Sequence, residues 1–322
     1  MDGKIALEEH FAIRDTLGDS QHHAAGGNWS ALEERLLGRV DDRLAEMDKH
    51  GIALSILSLN SPGIQAIHDV SRAIDVARRA NDALAEIVAK HPDRFAGFAA
   101  LPMQDPGAAA DELTRAVKTL GFKGALVNSF SQVGTPGTVV YYDLPQFEPF
   151  WARVEQLGVP FYLHPRDPVP GREPIYDGHP WLVGSAWSFG ADVAIHALRL
   201  MGSGLFDRHP RLTVILGHLG ECLPFALWRT DHRISRLPRG IPAKRTMTEY
   251  MRAHFYLTTS GHFRTPSLLD AIAEMGPERI LFSVDYPFEE PSEGAPWFDT
   301  VEISEADRRK IGSGNARALF KL

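Results

Sequence analysis

The composition of the chain limits its class before any motif is considered. It has 322 residues, of which 44% are hydrophobic and 23% charged, as is usual for a folded globular protein. The formal net charge of −7, with no dense run of Lys or Arg, argues against a surface that binds nucleic acid. Cys222 is the only cysteine, which excludes an internal disulfide and a cluster of thiolates around a metal. Any metal would therefore be held mainly by nitrogen and oxygen atoms.

Hydropathy gives an expectation for where the protein works. The sequence lacks a basic start followed by a long apolar run, and no window approaches 18 uninterrupted apolar residues. We therefore expect a cytoplasmic protein that acts on a small molecule, with neither nucleic acid nor a membrane as its partner.

Short apolar runs alternate with amphipathic stretches along the chain. Several runs are almost continuously apolar, which is typical of parallel strands that are covered on both faces. Eight runs predict strands, at residues 5–11, 53–60, 95–102, 124–130, 160–164, 213–218, 255–260 and 280–285. The clearest helical pattern begins at Ser30, which has the spacing of a capping box with Glu33, and stops at Gly51. Other helices are predicted at residues 73–90, 108–120, 147–157, 191–202 and 266–275.

This alternation predicts one α/β domain over residues 1–322, a (β/α)₈ TIM barrel. Open, doubly wound sheets alternate in a similar way, and the count of eight strands favours the barrel. The sequence also has no glycine-rich phosphate-binding motif after its first strand, which is a common feature of open sheets.

In a barrel of this kind, the chemistry lies where strands end at the C-terminal face. Ionisable side chains occur at four predicted strand ends: Glu8 and His10 on the first, His164 on the fifth, His218 on the sixth and Asp285 on the eighth. One histidine at a strand end is more often structural than a ligand. The recurrence favours a metal site made of Glu8, His10, His164 and Asp285, a set of nitrogen and oxygen donors that suits Zn²⁺ or Mn²⁺.

His218 has a carboxylate three residues later, in Glu221. A turn at the intervening glycine would bring Glu221 to the imidazole and raise its basicity, which suits proton transfer near neutral pH. Alternatively, Glu221 is a residue of a helix N-terminus that the helix dipole favours. Arg229 follows in that helix, where a guanidinium would bind a carboxylate, reach across a subunit contact or lie on a solvated face.

Two long loops are expected to cover this face, at about residues 12–29 and 165–189. The second is rich in aromatic residues that could stack on a substrate ring. His22 and His23 in the first would allow another metal site, but neighbouring residues of a loop seldom chelate together, so we favour a single metal.

Motifs along almost the whole chain resemble one family. Leu-Glu-Glu-His-Phe near the start, Tyr-Leu-His-Pro at 162–165, Gly-His-Leu-Gly-Glu at 217–221 and Phe-Ser-Val-Asp-Tyr-Pro-Phe at 282–288 are similar to the decarboxylase branch of the amidohydrolase superfamily. The likeness is greatest to members that act on 2,6-dihydroxybenzoate, followed by those that act on 2,3-dihydroxybenzoate and salicylate. Hydrolytic members usually carry His-x-His on strand one and often a modified lysine on strand four. Here Glu8 stands in place of the first histidine and Asn128 ends strand four.

The resemblance implies a metal-dependent, non-oxidative and reversible decarboxylation of an ortho-hydroxybenzoic acid, with no organic cofactor. Asp285 would deliver a proton to the ring carbon, His218 with Glu221 would exchange protons beside it, and Asn128 and Arg229 would contact the substrate. The resemblance also implies a homodimer or homotetramer. A metal-dependent hydrolase of a lactone or amide on the same barrel is the competing hypothesis, and a non-catalytic binding barrel is a third.

Overall fold

The computed structural model describes residues 1–24, 27–37, 40–169 and 174–322. Within these residues, eight parallel strands occur at the eight predicted places, several of them shorter than expected. They are β1 Lys4–Phe11, β2 Ile52–Leu59, β3 Phe95–Gly97, β4 Ala125–Asn128, β5 Phe161–His164, β6 Val214–Leu216, β7 Phe255–Thr258 and β8 Ile280–Leu281.

The strands pair in chain order, as a TIM barrel requires. One set runs β1-β2-β3 and the other β4-β5-β6-β7-β8, and a parallel bridge between Ala99 and Ala125 joins them. Past β8, the Ser283 hydroxyl accepts hydrogen bonds from the backbone N–H groups of Leu7 (3.2 Å) and Glu8 (2.7 Å). These bonds connect the eighth strand to the first, so the predicted barrel is confirmed.

Helices cover the outside of the barrel. Besides short turns of 3₁₀-helix and a π-helical segment at Lys310–Gly314, the described residues form helices at Trp29–Leu36, Val40–Lys49, Val70–Lys90, Pro106–Lys118, Glu148–Leu157, Ser188–Gly202, Leu205–Arg208, Leu223–Arg236, Met247–His254, Thr265–Met275, Pro291–Thr300, Glu305–Arg309 and Asn315–Phe320. The single helix predicted from Ser30 to Gly51 is wrong, because two helices occupy this stretch. The first is capped by the Asn28 side chain, which accepts a hydrogen bond from the N–H of Ala31 (3.4 Å), and Ser30 lies inside the helix.

Among the helices of the described residues, none combines the length and the apolar character that a membrane span requires.

An apolar plug fills the lower part of the barrel. Side chains from successive strands, among them Leu7, Phe98 and Tyr162, pack there with Phe320 of the last helix. The Phe98 ring lies 5.7 Å from Phe320 and 6.0 Å from Tyr162, both edge to face. Because the plug closes one end, polar side chains that point inwards can only gather at the other, where the strands end.

Candidate active site

The first strand places two ionisable side chains inside the barrel. Ala6 pairs with Ser55 and Glu9 with Leu57, so β1 contains one extra residue, a bulge, between them. Glu8 lies within this bulge and His10 just after it, and both residues are buried. A buried carboxylate and a buried imidazole two residues apart need partners that compensate for their removal from water.

These partners come from β5 and from the segment after β8. Glu8 Oε1 lies 3.1 Å from His164 Nε2, and His10 Nε2 lies 3.2 Å from Asp285 Oδ1. One ligand atom from each of these four residues lies within 4.8 Å of all the others. The four side chains that the sequence predicted as metal ligands therefore converge.

The polar atoms at the centre of this cluster support a metal site. Glu8 Oε1, His10 Nε2 and Asp285 Oδ1 are buried and have no hydrogen-bond partner in the described part of the chain. Buried polar atoms are rarely left unsatisfied. Two imidazoles and two carboxylates are ordinary ligands for Zn²⁺ or Mn²⁺, so the residues fit a divalent cation.

The other oxygen of Glu8 is held by hydroxyl groups. The hydroxyls of Tyr162 and Ser260 (2.5 Å) both donate to Glu8 Oε2. Burial alone would raise the pKa of Glu8, but the nearby imidazoles, above all that of His218, hold this pKa well below its usual range. Gly217 leaves the space for this arrangement, because a Cβ atom there would lie 2.8 Å from Glu8 Oε2. Glu8 is thus ionised, and its Oε1 is directed at the cluster.

Hydrogen bonds on the far side of each ring orient the two histidine ligands. His164 Nδ1 faces two acceptors, Asn128 Oδ1 and the carbonyl oxygen of Pro165, each at 2.8 Å. It must therefore carry the proton, which leaves a lone pair on Nε2 for a metal. Burial lowers the pKa of His164, which favours the neutral ring. His10 Nδ1 lies 3.2 Å from the Ser58 hydroxyl, again a neutral partner.

His218 sits in an unusual turn directly after β6. Residues 218–222 all have positive φ, including 50° at His218 and 55° at Glu221. Such left-handed backbone costs roughly 1–2 kcal/mol per non-glycine residue, so local contacts must hold the turn. One is the N–H of His218, which donates to the Ser260 hydroxyl (3.2 Å). The turn places Glu221 Oε1 2.7 Å from His218 Nδ1.

The surroundings of His218 favour a charged ring. Its Nε2 lies 3.4 Å from Glu8 Oε1 and 3.6 Å from Asp285 Oδ2. Burial alone would lower the pKa of His218, but the carboxylates of Glu221 and Glu8, with the contact to Asp285, raise this pKa well above its usual value. His218 is therefore suited to carry a proton beside the metal cluster.

A cavity of about 550 Å³ opens above these residues. His10, His164, His218 and Asp285 form its base. Its walls come from the two predicted loops, from Ser61 just after β2 and from the segment after Asp285. Besides Ser61 they include His22, His23, Ala24, Asp167, Pro180, Val183, Gly184, Ser185, Ala186, Phe189, Phe288 and Glu289. The loops predicted at 12–29 and 165–189 contain residues 25–26 and 170–173, which lie outside the described residues. Apolar and aromatic walls with a few convergent polar groups are the usual lining of a small-molecule site.

Comparison with known proteins identifies the family. A model described as amidohydrolase matches residues 19–322 of the chain. The chain belongs to the amidohydrolase family. A member from Rhizobium sp. (strain MTP-10005), a gamma-resorcylate decarboxylase, is 59% identical over 324 residues, which covers 100% of this chain and 99% of the relative. The resemblance drawn from the sequence motifs is therefore confirmed.

Solved structures of the family agree over the whole chain. A crystal structure of 2,6-dihydroxybenzoate decarboxylase in complex with 2,6-dihydroxybenzoate is 59% identical, has a TM-score of 0.98, and covers 100% of both chains. A dihydroxybenzoic acid decarboxylase from Polaromonas sp. JS666, with bound manganese and the inhibitor 2-nitroresorcinol, is 58% identical with a TM-score of 0.98. This match covers 100% of the present chain and 98% of the Polaromonas chain.

Both of the predicted substrate contacts lie outside the cavity wall. Asn128 is buried behind His164, and its amide nitrogen donates to the carbonyl oxygens of Asn60 (3.3 Å) and Pro62 (3.2 Å). Arg229 is exposed on the helix Leu223–Arg236 and does not line the cavity formed by the described residues. Within one chain, Asn128 thus orients the His164 ring, and Arg229 does not reach the cavity.

Sequence reasoning missed several residues that support the site. The hydroxyl groups of Ser58, Tyr162 and Ser260 hold His10 and Glu8, and Gly217 provides space for Glu8. Ser58, Gly217 and Ser260 lie near or just past a strand end, which was the available signal, whereas Tyr162 lies within β5. Hydroxyl residues and glycines are too common there for the signal to be specific.

Proposed function

We propose that this protein catalyses the non-oxidative, reversible decarboxylation of an ortho-hydroxybenzoic acid, with 2,6-dihydroxybenzoate as the substrate and resorcinol and CO₂ as the products. The observation that carries the proposal is the position of Asp285. One of its oxygens faces His10 in the metal cluster and the other faces His218. The names of the full-length relatives at 59% identity support the substrate.

One divalent metal ion would be held by Glu8, His10, His164 and Asp285. We propose Mn²⁺, with Zn²⁺ as the alternative, because the Polaromonas structure contains manganese and the donor set suits both ions. When bound, the ion supplies Lewis-acid stabilisation of the negative charge on the substrate. The reaction needs no organic cofactor, since the hydroxylated ring itself accepts the electrons.

In this proposal the proton reaches the ring before the carbon–carbon bond breaks. Asp285 donates a proton to C1, which the ortho hydroxyl groups make electron-rich. The C1–carboxylate bond then breaks, its electron pair restores the aromatic ring, and CO₂ leaves. One proton is consumed for each CO₂ released, and His218, held by Glu221 at 2.7 Å, returns it to Asp285 across 3.6 Å.

The test is a product assay. Purified protein with a measured metal content is incubated with 2,6-dihydroxybenzoate, and resorcinol is followed by chromatography together with CO₂. The related acids 2,3-dihydroxybenzoate and salicylate are the comparison substrates. We expect resorcinol to form fastest; no phenol from any of the three acids would refute the proposal. Formation of a new acid from a lactone or amide would instead indicate a hydrolase.

We further propose that the protein is a single-domain homodimer or homotetramer in the cytoplasm. Support for assembly comes from the helix Leu223–Arg236, where Phe225 is 85% and Trp228 70% exposed beside Arg229. Large apolar side chains that are this exposed in a single chain are often covered by another subunit. In such an assembly Arg229 would bind the substrate carboxylate across the subunit contact. Size-exclusion chromatography with light scattering tests the state, since a monomer would exclude this role.

A further inference from the structure

A second cluster of potential metal ligands lies at the mouth of the cavity. His22 and His23 end the 3₁₀-helix Leu17–His23 that follows β1, and Asp167 lies in the loop after β5. His22 Nε2 is 2.6 Å and His23 Nε2 is 3.3 Å from the same carboxylate oxygen, Asp167 Oδ2. One ligand atom from each of the three residues lies within 4.8 Å of the other two. Adjacent histidines thus do converge here, because the end of the helix turns both rings towards Asp167.

Simple hydrogen bonding leaves part of this cluster unexplained. His22 is bonded to Asp167, but His23 Nε2 and Asp167 Oδ1 are buried atoms with no hydrogen-bond partner among the described residues. The centroids of the two imidazole rings lie only 3.9 Å apart, so both rings approach the same carboxylate. Burial alone would raise the pKa of Asp167, yet His23 and His22 lower it, so the carboxylate is available as an anionic ligand.

The cluster is separate from the catalytic one. The Phe288 ring packs against a ring of each cluster, 5.6 Å from the centroid of His10 and 6.1 Å from that of His23. No side chain is shared by the two ligand sets. An ion at either cluster would therefore have its own protein ligands.

We propose that His22, His23 and Asp167 bind a second divalent cation of the Zn²⁺ class at the mouth of the catalytic cavity. Two imidazoles and one carboxylate are a common ligand set for such ions, and three protein ligands leave positions for water. The ligands come from two different loops, so the ion joins the loop after β1 to the loop after β5. This site is independent of the proposed decarboxylation, because it requires only the three side chains.

The experiment counts metal ions in the holoprotein. Protein carrying its first equivalent of metal is equilibrated with ZnCl₂, passed through a desalting column and analysed for total metal per chain. The variants His23→Leu and Asp167→Asn remove one ligand from each loop. His179→Ala is the matched control, because His179 is an exposed histidine of the same face that belongs to neither cluster.

We expect two equivalents of metal in the wild type and in His179→Ala, and one equivalent in each ligand variant. The remaining equivalent in the ligand variants shows that their catalytic cluster is still folded. A single equivalent in the wild type would overturn the proposal. Two equivalents in both ligand variants would overturn it as well, since the second ion would then lie elsewhere. Neither count depends on turnover, so failure of the proposed decarboxylation would be seen separately.

Discussion

Asp285→Asn is the most direct perturbation of the proposed chemistry. The amide has nearly the shape of the carboxylate, so an oxygen can stay near His10 Nε2 (3.2 Å), while the group that faces His218 (3.6 Å) can no longer carry a proton to carbon. Loss of a positioned general acid typically costs about 10²–10⁴-fold in rate, or roughly 3–5 kcal/mol of transition-state stabilisation. We expect kcat to fall by this factor at saturating metal. A neutral ligand also weakens metal binding, so metal content must be measured beside activity.

Deuterium exchange tests the same proton transfer from the product side. Resorcinol incubated with the wild type and bicarbonate in D₂O should gain deuterium at the carbon between its hydroxyl groups, because carboxylation removes the ring proton and the following decarboxylation returns a deuteron. Asp285→Asn should lose this exchange, and Asp93→Asn, a change at an exposed carboxylate, should retain it. Near-normal exchange and turnover in metal-loaded Asp285→Asn would refute the role of Asp285 as the proton donor.

Three further predictions concern the support of the site. Asn128→Ala removes one of the two acceptors of His164 Nδ1–H and should weaken metal binding about 10-fold to 100-fold, as measured by metal titration; unchanged affinity would contradict this role. Burial raises the pKa of Glu9 from 4.5 to about 7, which corresponds to roughly 3 kcal/mol. The folded state therefore holds this proton more tightly than the unfolded state, and the free energy of unfolding should fall as the pH rises from about 4.5 to about 7. In urea unfolding, the free energy of unfolding of Glu9→Gln should fall less over this pH range than that of the wild type. An identical pH dependence in the two proteins would exclude Glu9 as the source of the fall. Chelation of the metal should abolish CO₂ release and lower the thermal midpoint, with recovery on adding Mn²⁺; full activity after chelation would contradict a metal-dependent reaction.

The repeating pattern of strands and helices is what made the barrel predictable. Parallel strands that are buried on both faces need continuous apolar runs, and all eight runs became strands. Strand ends were less predictable because apolar residues continue past the last backbone pairing. The eighth strand, expected to reach Asp285, ends at Leu281, and Asp285 itself has φ of 83°. The break between the helices Trp29–Leu36 and Val40–Lys49 was missed because the apolar periodicity continues across it.

The convergence of the four proposed ligands was predictable because barrel geometry brings strand ends together. Glu8, His10, His164 and Asp285 meet as that rule requires. No such rule relates Asp167 to His22 and His23, which lie on separate loops far apart in sequence, and the pairing depends on how the loops fold over the barrel. The consecutive positive φ values at 218–222 were equally hidden, since only Gly220 among these residues favours left-handed backbone.

The partners of the three central histidines explain why similar rings can have different tasks. His10 and His164 each turn Nδ1 to a neutral group, the hydroxyl of Ser58 and the amide oxygen of Asn128, which suits their Nε2 atoms to the proposed role of neutral metal ligands. His218 turns Nδ1 to the carboxylate of Glu221, which stabilises the imidazolium and suits a proton carrier. All three Nε2 atoms point at the same carboxylates, of Glu8 or Asp285. The charge of the group behind each ring, more than the distance of the ring from the cluster, therefore separates the two proposed metal ligands from the proposed proton carrier.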